Sequence, residues 1–415
     1  MLRYLGQYDR MRALRQQVLL MVTAAVAPCA VAQPALSAND PETQILERLR
    51  DIQTRNGVNS AESIAPMTGL ALIYQENSDH ERALAVLEQA RGVVSVNYGL
   101  FSLEEVPLLR MAIQSEEARG NAARAWDLEQ ELLGLAARYP NDAHTYPVYR
   151  EVAGKRANVL EEYAHGGFPP QIVLGCYYGA QSCRAGSRGA VIARLRGEIS
   201  RYYRWAQHVL LQNDPSSDEL RSFLAEVLPV AYRGDAYVEV AQVFRRLLEQ
   251  ESANPVSPRS RADALIQVAD WNANEIHRIR SLNERATRVS THDELVLEQY
   301  GQAYEDLEKA GIDQTAIDAI FAPPLPVVLP TFMPNPLASE ESEAGEYIDV
   351  AFDVTRHGYA DNVEVLGATK SVTRRAEKDL VSLIEASPFR PRTTNGEFAE
   401  RSRVEVRYYV SSVIR

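Results

Sequence analysis

The change in hydrophobic period along this chain constrains its fold more than any other feature. Between residues 40 and 322 apolar side chains recur at helical spacing. After residue 346 they alternate one by one, and six prolines between Pro323 and Pro336 stand in between. A period near 3.6 buries one stripe of a helix, whereas a period of 2 buries one face of a strand. The expected fold class is therefore α+β and multidomain. A helical domain over 40–322 leads through a Pro-rich, acidic linker over 323–345 to a small β-β-α-β domain over 346–415.

The helical part opens on Asp40-Pro41-Glu42, an N-cap acid followed by a first-turn proline. Within it, Gly69-Leu70-Ala71-Leu72-Ile73-Tyr74 runs to Asp79, then Ala83-Leu84 and Ala90. The pattern returns 42 residues later as Met111-Ala112-Ile113, Asn121 and Ala125-Trp126. A third copy runs from Leu228–Tyr232 through Gly234-Asp235 to Val240-Ala241 and Phe244. A degenerate fourth is expected to begin at Ala264-Leu265-Ile266, with Ala269-Asp270-Trp271. Each unit reads helix, polar turn, helix, with small residues where the two helices close on each other. This resembles the tetratricopeptide repeat in a longer-period form, which implies an α-solenoid of stacked helix pairs. Asn121 and Asp235 are 114 residues apart, which is not a multiple of 42, so the array is interrupted.

In the last 70 residues Ile348, Val350, Phe352 and Val354 alternate with polar neighbours. Gly358 then supplies a turn, and Val363 and Val365 mark a second strand. Ala376, Leu380, Leu383 and Ile384 form a helical stripe. Phe389-Arg390-Pro391 and Asn395-Gly396 precede a closing strand with Val404, Val406, Tyr408 and Val410. The order and punctuation resemble the C-terminal domain of the TonB family. The resemblance implies a module that works in the periplasm and pairs a sheet edge with a peptide of an outer-membrane receptor. The residues expected to carry that contact are Val404, Val406, Arg407, Tyr408 and Tyr409. The same strand could accept a second copy of itself, and residues 346–415 are expected to fold alone.

At the other end, Arg3, Arg10, Arg12 and Arg15 precede an apolar run from Val18 to Ala32 that closes on Ala30-Val31-Ala32. A basic stretch, a short apolar core and a small-x-small site describe a cleaved secretory signal, residues 1–32. The run is shorter than the roughly 20 residues a membrane span needs. The second reading keeps this segment uncleaved, as the anchor of a TonB-like energy transducer. With the signal gone, only Cys176 and Cys183 remain. In an oxidising compartment a disulfide between them is expected, the alternative being two free thiols.

The chain has 44 Lys+Arg against 56 Asp+Glu, a net −12. An acidic chain argues against nucleic acid as partner. His165-Gly166-Gly167 lacks a G-x-S-x-G companion, and Gly186-Ser187-Arg188-Gly189 lacks the Lys-Ser/Thr of a phosphate loop. Glu104-Glu105 and Glu116-Glu117 read as solvated helix faces, and Arg201-Tyr202-Tyr203-Arg204-Trp205 as a packed, partly solvated face. No catalytic residue, metal site or cofactor is expected. The expected function is a periplasmic adaptor that binds protein or peptide partners of the cell envelope.

Overall fold

The computed structural model describes residues 41–164, 188–236, 238–282, 291–321, 327, 346–394 and 397–409. These form thirteen helices, a three-stranded antiparallel sheet and a two-stranded hairpin. The chain divides into two compact units, Met1–Arg119 and Gly120–Arg415. The expected signal segment 1–32, Cys176, Cys183 and most of the 323–345 linker lie outside the described residues.

The first unit holds α1 (Pro41–Asn56), α2 (Ile64–Glu76), α3 (His80–Tyr98) and α4 (Val106–Ala118). Asp79 starts α3 by accepting the Arg82 amide proton on its side chain, and Ser78 before it takes a positive φ of 59°. The small residues of the repeat lie at the helix contacts. Ala71, Ala83 and Ala90 have no exposed surface. Gln75 reaches from α2 to α4, donating to the Met111 carbonyl and the Ser115 hydroxyl at 2.8 Å each.

The second unit continues with α5 (Ala122–Ala136), α6 (Tyr146–Ala164), α7 (Arg188–Gln212), α8 (Ser217–Tyr232), α9 (Val240–Ala253), α10 (Ser260–Leu282), α11 (Thr291–Lys309) and α12 (Gln314–Phe321). Asn121 caps α5 as Asp79 caps α3. Ser216 opens α8 with a reciprocal capping box to Glu219. The expected fourth repeat is corrected: α10 runs unbroken through Ala269-Asp270-Trp271. Asp270 resembles a turn residue in sequence, but its carboxylate is taken up by Tyr300 and Arg390, so it need not turn the chain to be satisfied.

One regularity is not carried by the apolar pattern. Ser60, Ser102 and Asp142 each cap a single 3₁₀ turn by accepting the amide proton two residues on. Each turn leads into a helix carrying an early proline, Pro66, Pro107 or Pro147. These starts are spaced 42 and 40 residues apart. Proline is tolerated there because the first-turn N–H groups have no helical acceptor.

The C-terminal elements are β1 (Tyr347–Thr355), β2 (Ala360–Ala368), α13 (Arg374–Glu385), the short β3 (Thr393–Thr394) and β4 (Glu397–Phe398), and β5 (Arg401–Tyr409). The sheet order is β2-β1-β5, so the first strand is central and the last is an edge. Ile348, Val350, Phe352, Val354, Val404 and Tyr408 face α13, where Leu380, Ile384 and Phe389 close the core. Gly358 takes φ +78° at the β1–β2 turn. A Cβ there would sit 2.0 Å from the Phe389 carbonyl oxygen, and the Phe389 amide donates to the Gly358 carbonyl at 2.8 Å. Thus the Phe389-Arg390-Pro391 segment is held directly on the turn.

Candidate functional site

The two edges of the sheet differ. On β2 the register with β1 slips twice, between Asp349 and Val350 and between Ala351 and Asp353, and Asn362 sits at a positive φ of 51°. Such bulges twist an edge and disrupt its hydrogen-bonding row. On β5 the register is continuous over nine residues, from Tyr347 opposite Tyr409 to Thr355 opposite Arg401.

The direction of each backbone group on β5 follows from the ladder. The Arg356 amide donates to the Glu400 carbonyl at 3.0 Å, while the Thr355 amide donates to Tyr359 on the β2 side and the Tyr347 carbonyl accepts from Thr369. Hydrogen-bonded and non-bonded pairs alternate along an antiparallel ladder. Hence Ser402, Val404, Val406 and Tyr408 bond inward to β1. The amides and carbonyls of Arg401, Arg403, Glu405, Arg407 and Tyr409 point away from it.

The side chains divide by the same parity. Val404 and Tyr408 are buried and Val406 is half-buried, all packed in the core. These three side chains lie on the core face of the sheet. Arg407 lies on the open face but is already engaged. Its guanidinium donates twice to Asp349, at 2.7 and 2.9 Å, and lies 3.8 Å over the Tyr347 ring. These bonds hold Arg407 protonated well above the usual guanidinium range. Arg403 pairs with Glu364 and Asp353, and Arg401 with Asp361 at 2.8 Å and with Asp353. Among the described residues of this face, Glu405 is the exposed charge with no such pair. Tyr409 is half-buried at the strand's end.

A second constellation is not visible in the sequence. The C-terminal elements are joined to α10, α11 and α12 by two polar knots. In the first, Arg390 grips Asp270 with bonds of 3.0 and 2.7 Å and donates to the Ile320 carbonyl at 2.9 Å, while the Tyr300 hydroxyl donates to Asp270 at 2.7 Å. Burial pushes Arg390 toward losing its proton, and the bonds to Asp270 outweigh it, so its pKa is raised. Burial followed by the Asp270 charge drives the Tyr300 phenol far above its ordinary value. In the second, the Tyr359 hydroxyl donates to Asp293 at 2.5 Å, Arg280 pairs with Asp293, and His357 meets Glu294 at 3.2 Å. Thr393 donates to Asp318 at 2.6 Å, Phe398 packs edge-on to Phe321, and the Val327 amide donates to the Pro388 carbonyl. The contacts that tie the C-terminal elements to the helices join residues 63 to 120 apart in sequence, and no local spacing encodes such pairs.

The first unit holds a further concavity. A groove of about 510 Å³ in the first unit is lined by Ile64, Thr68, Gly69, Leu72, Tyr98, Glu104 and Met111. Leu72, Tyr98, Leu100 and Phe101 are exposed on the same unit. The expectation of solvated glutamates is corrected for Glu105 and Glu116. Both are buried, Glu105 against Arg91 and Ser95 and Glu116 against Arg119. Tyr202 and Tyr203 are buried, and Trp205 lies edge-on to Tyr149 and Tyr202. Among the described residues no group of three or more His, Cys, Asp or Glu is placed to hold a metal ion. None of the described helices is long and apolar enough to cross a membrane.

No model of a known protein family matches this chain, and the curated proteins give no significant match.

Proposed function

We propose that this protein is an exported, non-enzymatic adaptor of the bacterial cell envelope, and that its C-terminal module captures an extended strand along β5. In this reading the helical array is a tetratricopeptide-like scaffold that holds a second partner, and the sheet with α13 is a TonB-like domain. The observation that carries it is the asymmetry of the sheet. β2 is bulged twice, whereas β5 presents five outward backbone positions, at every second residue, in unbroken register. Backbone bonds supply affinity in strand addition, and side chains on the incoming strand supply selectivity. The apolar groove and exposed Leu72, Tyr98, Leu100 and Phe101 of the first unit support the second binding surface.

The test uses a synthetic peptide of residues 401–409 as the incoming strand, with amide exchange read residue by residue on dilute protein. Adding peptide is expected to slow the amides of Arg403, Glu405, Arg407 and Tyr409. Val404, Val406 and Tyr408, already bonded to β1, should change little. Uniform protection, or none, would remove strand addition from the account.

A further inference from the structure

We propose that β5 pairs with β5 of a second copy of this chain, antiparallel, in the register that sets Val406 opposite Val406. The inference rests on the reading that β5 accepts a strand and names its occupant.

The constraints are geometric. Two identical strands joined across a two-fold axis run antiparallel, and an axis normal to the sheet keeps the core face of one copy level with that of the other. Outward-bonding positions must then meet outward-bonding positions, so odd residues face odd and even face even. Registers displaced by one residue per strand are the remaining alternatives, and the charges decide among them. Centring on Glu405 places Glu405 against Glu405 and Arg403 against Arg407 twice. Centring on Val404 gains two Arg403–Glu405 pairs but sets Arg401 against Arg407 twice. Centring on Arg403 or on Arg407 puts an arginine against itself.

Centring on Val406 leaves no like charges directly opposite one another along the strand. Glu405 faces Arg407 of the second copy, and the reverse, giving two ion pairs. Arg403 faces Tyr409 twice, a cation against an aromatic face. On the core side Val406 meets Val406 and Val404 meets Tyr408. Each Arg407, already held by Asp349 through Nε and Nη2, keeps Nη1 for the arriving Glu405. Glu405, left without an ion pair on its own sheet, thereby gains one. The result is a six-stranded sheet in the order β2-β1-β5-β5-β1-β2.

Charge reversal on the full chain tests both the occupant and the register. Glu405→Arg sets arginine against Arg407, and Arg407→Glu sets glutamate against Glu405. Each variant alone is expected to self-associate at least tenfold more weakly than the parent in sedimentation equilibrium. An equimolar mixture is expected to recover the parent affinity. In the mixed pair the arginine introduced in one chain faces the glutamate introduced in the other, and the unaltered Arg407 faces the unaltered Glu405. Recovery also shows that both variants fold. A parent protein that stays monomeric at roughly 100 μM, or a mixture that fails to recover, overturns the proposal. If the 401–409 peptide still protects the outward amides in that monomer, the second copy is excluded and strand addition stands. If it does not, both fall.

Discussion

Single residues here divide into those whose surroundings can adjust and those whose surroundings cannot, and glycine shows the difference. Gly311 and Gly358 both adopt positive φ, +76° and +78°. A Cβ on Gly311 meets nothing within 4 Å, whereas on Gly358 it would collide with the backbone of Phe389. Gly311→Ala is expected to cost about 1 kcal/mol, from the left-handed conformation alone. Gly358→Ala adds a steric overlap that only main-chain movement relieves, and is expected to cost at least about 3 kcal/mol. Urea unfolding of the two variants, followed by near-ultraviolet dichroism, checks the ranking. Equal losses would mean that the Phe389 segment yields easily. Gly358 was legible as a turn residue, since a glycine between two alternating runs has few other uses. Its contact with Phe389 was not, because the two meet only when β1, β2 and α13 are assembled.

Among elements, β5 makes the most specific demand. Proline at position 407 deletes an amide that points away from β1, and proline at 406 deletes one that the β1 ladder uses. Arg407→Pro is expected to keep the sheet folded and lose binding of the 401–409 peptide. Val406→Pro is expected to unfold the C-terminal module, at a cost of about 3 kcal/mol or more. Far- and near-ultraviolet dichroism with peptide titration separates the two outcomes. Loss of structure in both would show the parity assignment to be wrong. The strands themselves were legible because Ile348 to Val354 and Val404 to Tyr408 alternate cleanly. The bulges of β2 were not, since a slipped register depends on which strand lies alongside. The starts at Ser60, Ser102 and Asp142 lie open in the sequence as a polar residue some five or six positions before a proline. A repeat traced by the small residues after each turn does not find them, because the caps stand before the helices rather than between their packed faces.

Across the second unit, the C-terminal elements and the last three helices share one set of buried polar contacts, which bears on the expectation that residues 346–415 fold alone. Removing Arg390 would leave Asp270 charged and largely buried, a situation that costs several kcal/mol in comparable sites. His277 on α10 lies in the same seam, facing Tyr359, Arg280 and the Ala386 backbone. Burial, followed by the Arg280 charge, lowers its pKa below the ordinary 6.5. The unfolded chain therefore takes up a proton at His277 more readily than the folded one. The seam's full strength is present above about pH 6.5 and is lost as pH falls from there toward the depressed folded value. The urea midpoint is expected to fall between about pH 7.5 and about pH 5.5, and His277→Gln to reduce that drop. A variant with the parent's full drop would assign the effect to groups other than His277.

The double bulge on β2 has a consequence for how large any assembly can grow. A sheet with two clean edges is a repeating unit: each copy added restores the edge it consumed, and growth has no natural end. On the proposed strand addition this sheet has a valence of one. Once β5 is occupied, by a peptide or by another copy, the far edge offers an interrupted row with Asn362 and Leu366 at the breaks, and propagation stops. On that proposal the nine residues of β5 complete a contact, and the bulged far edge does not extend it.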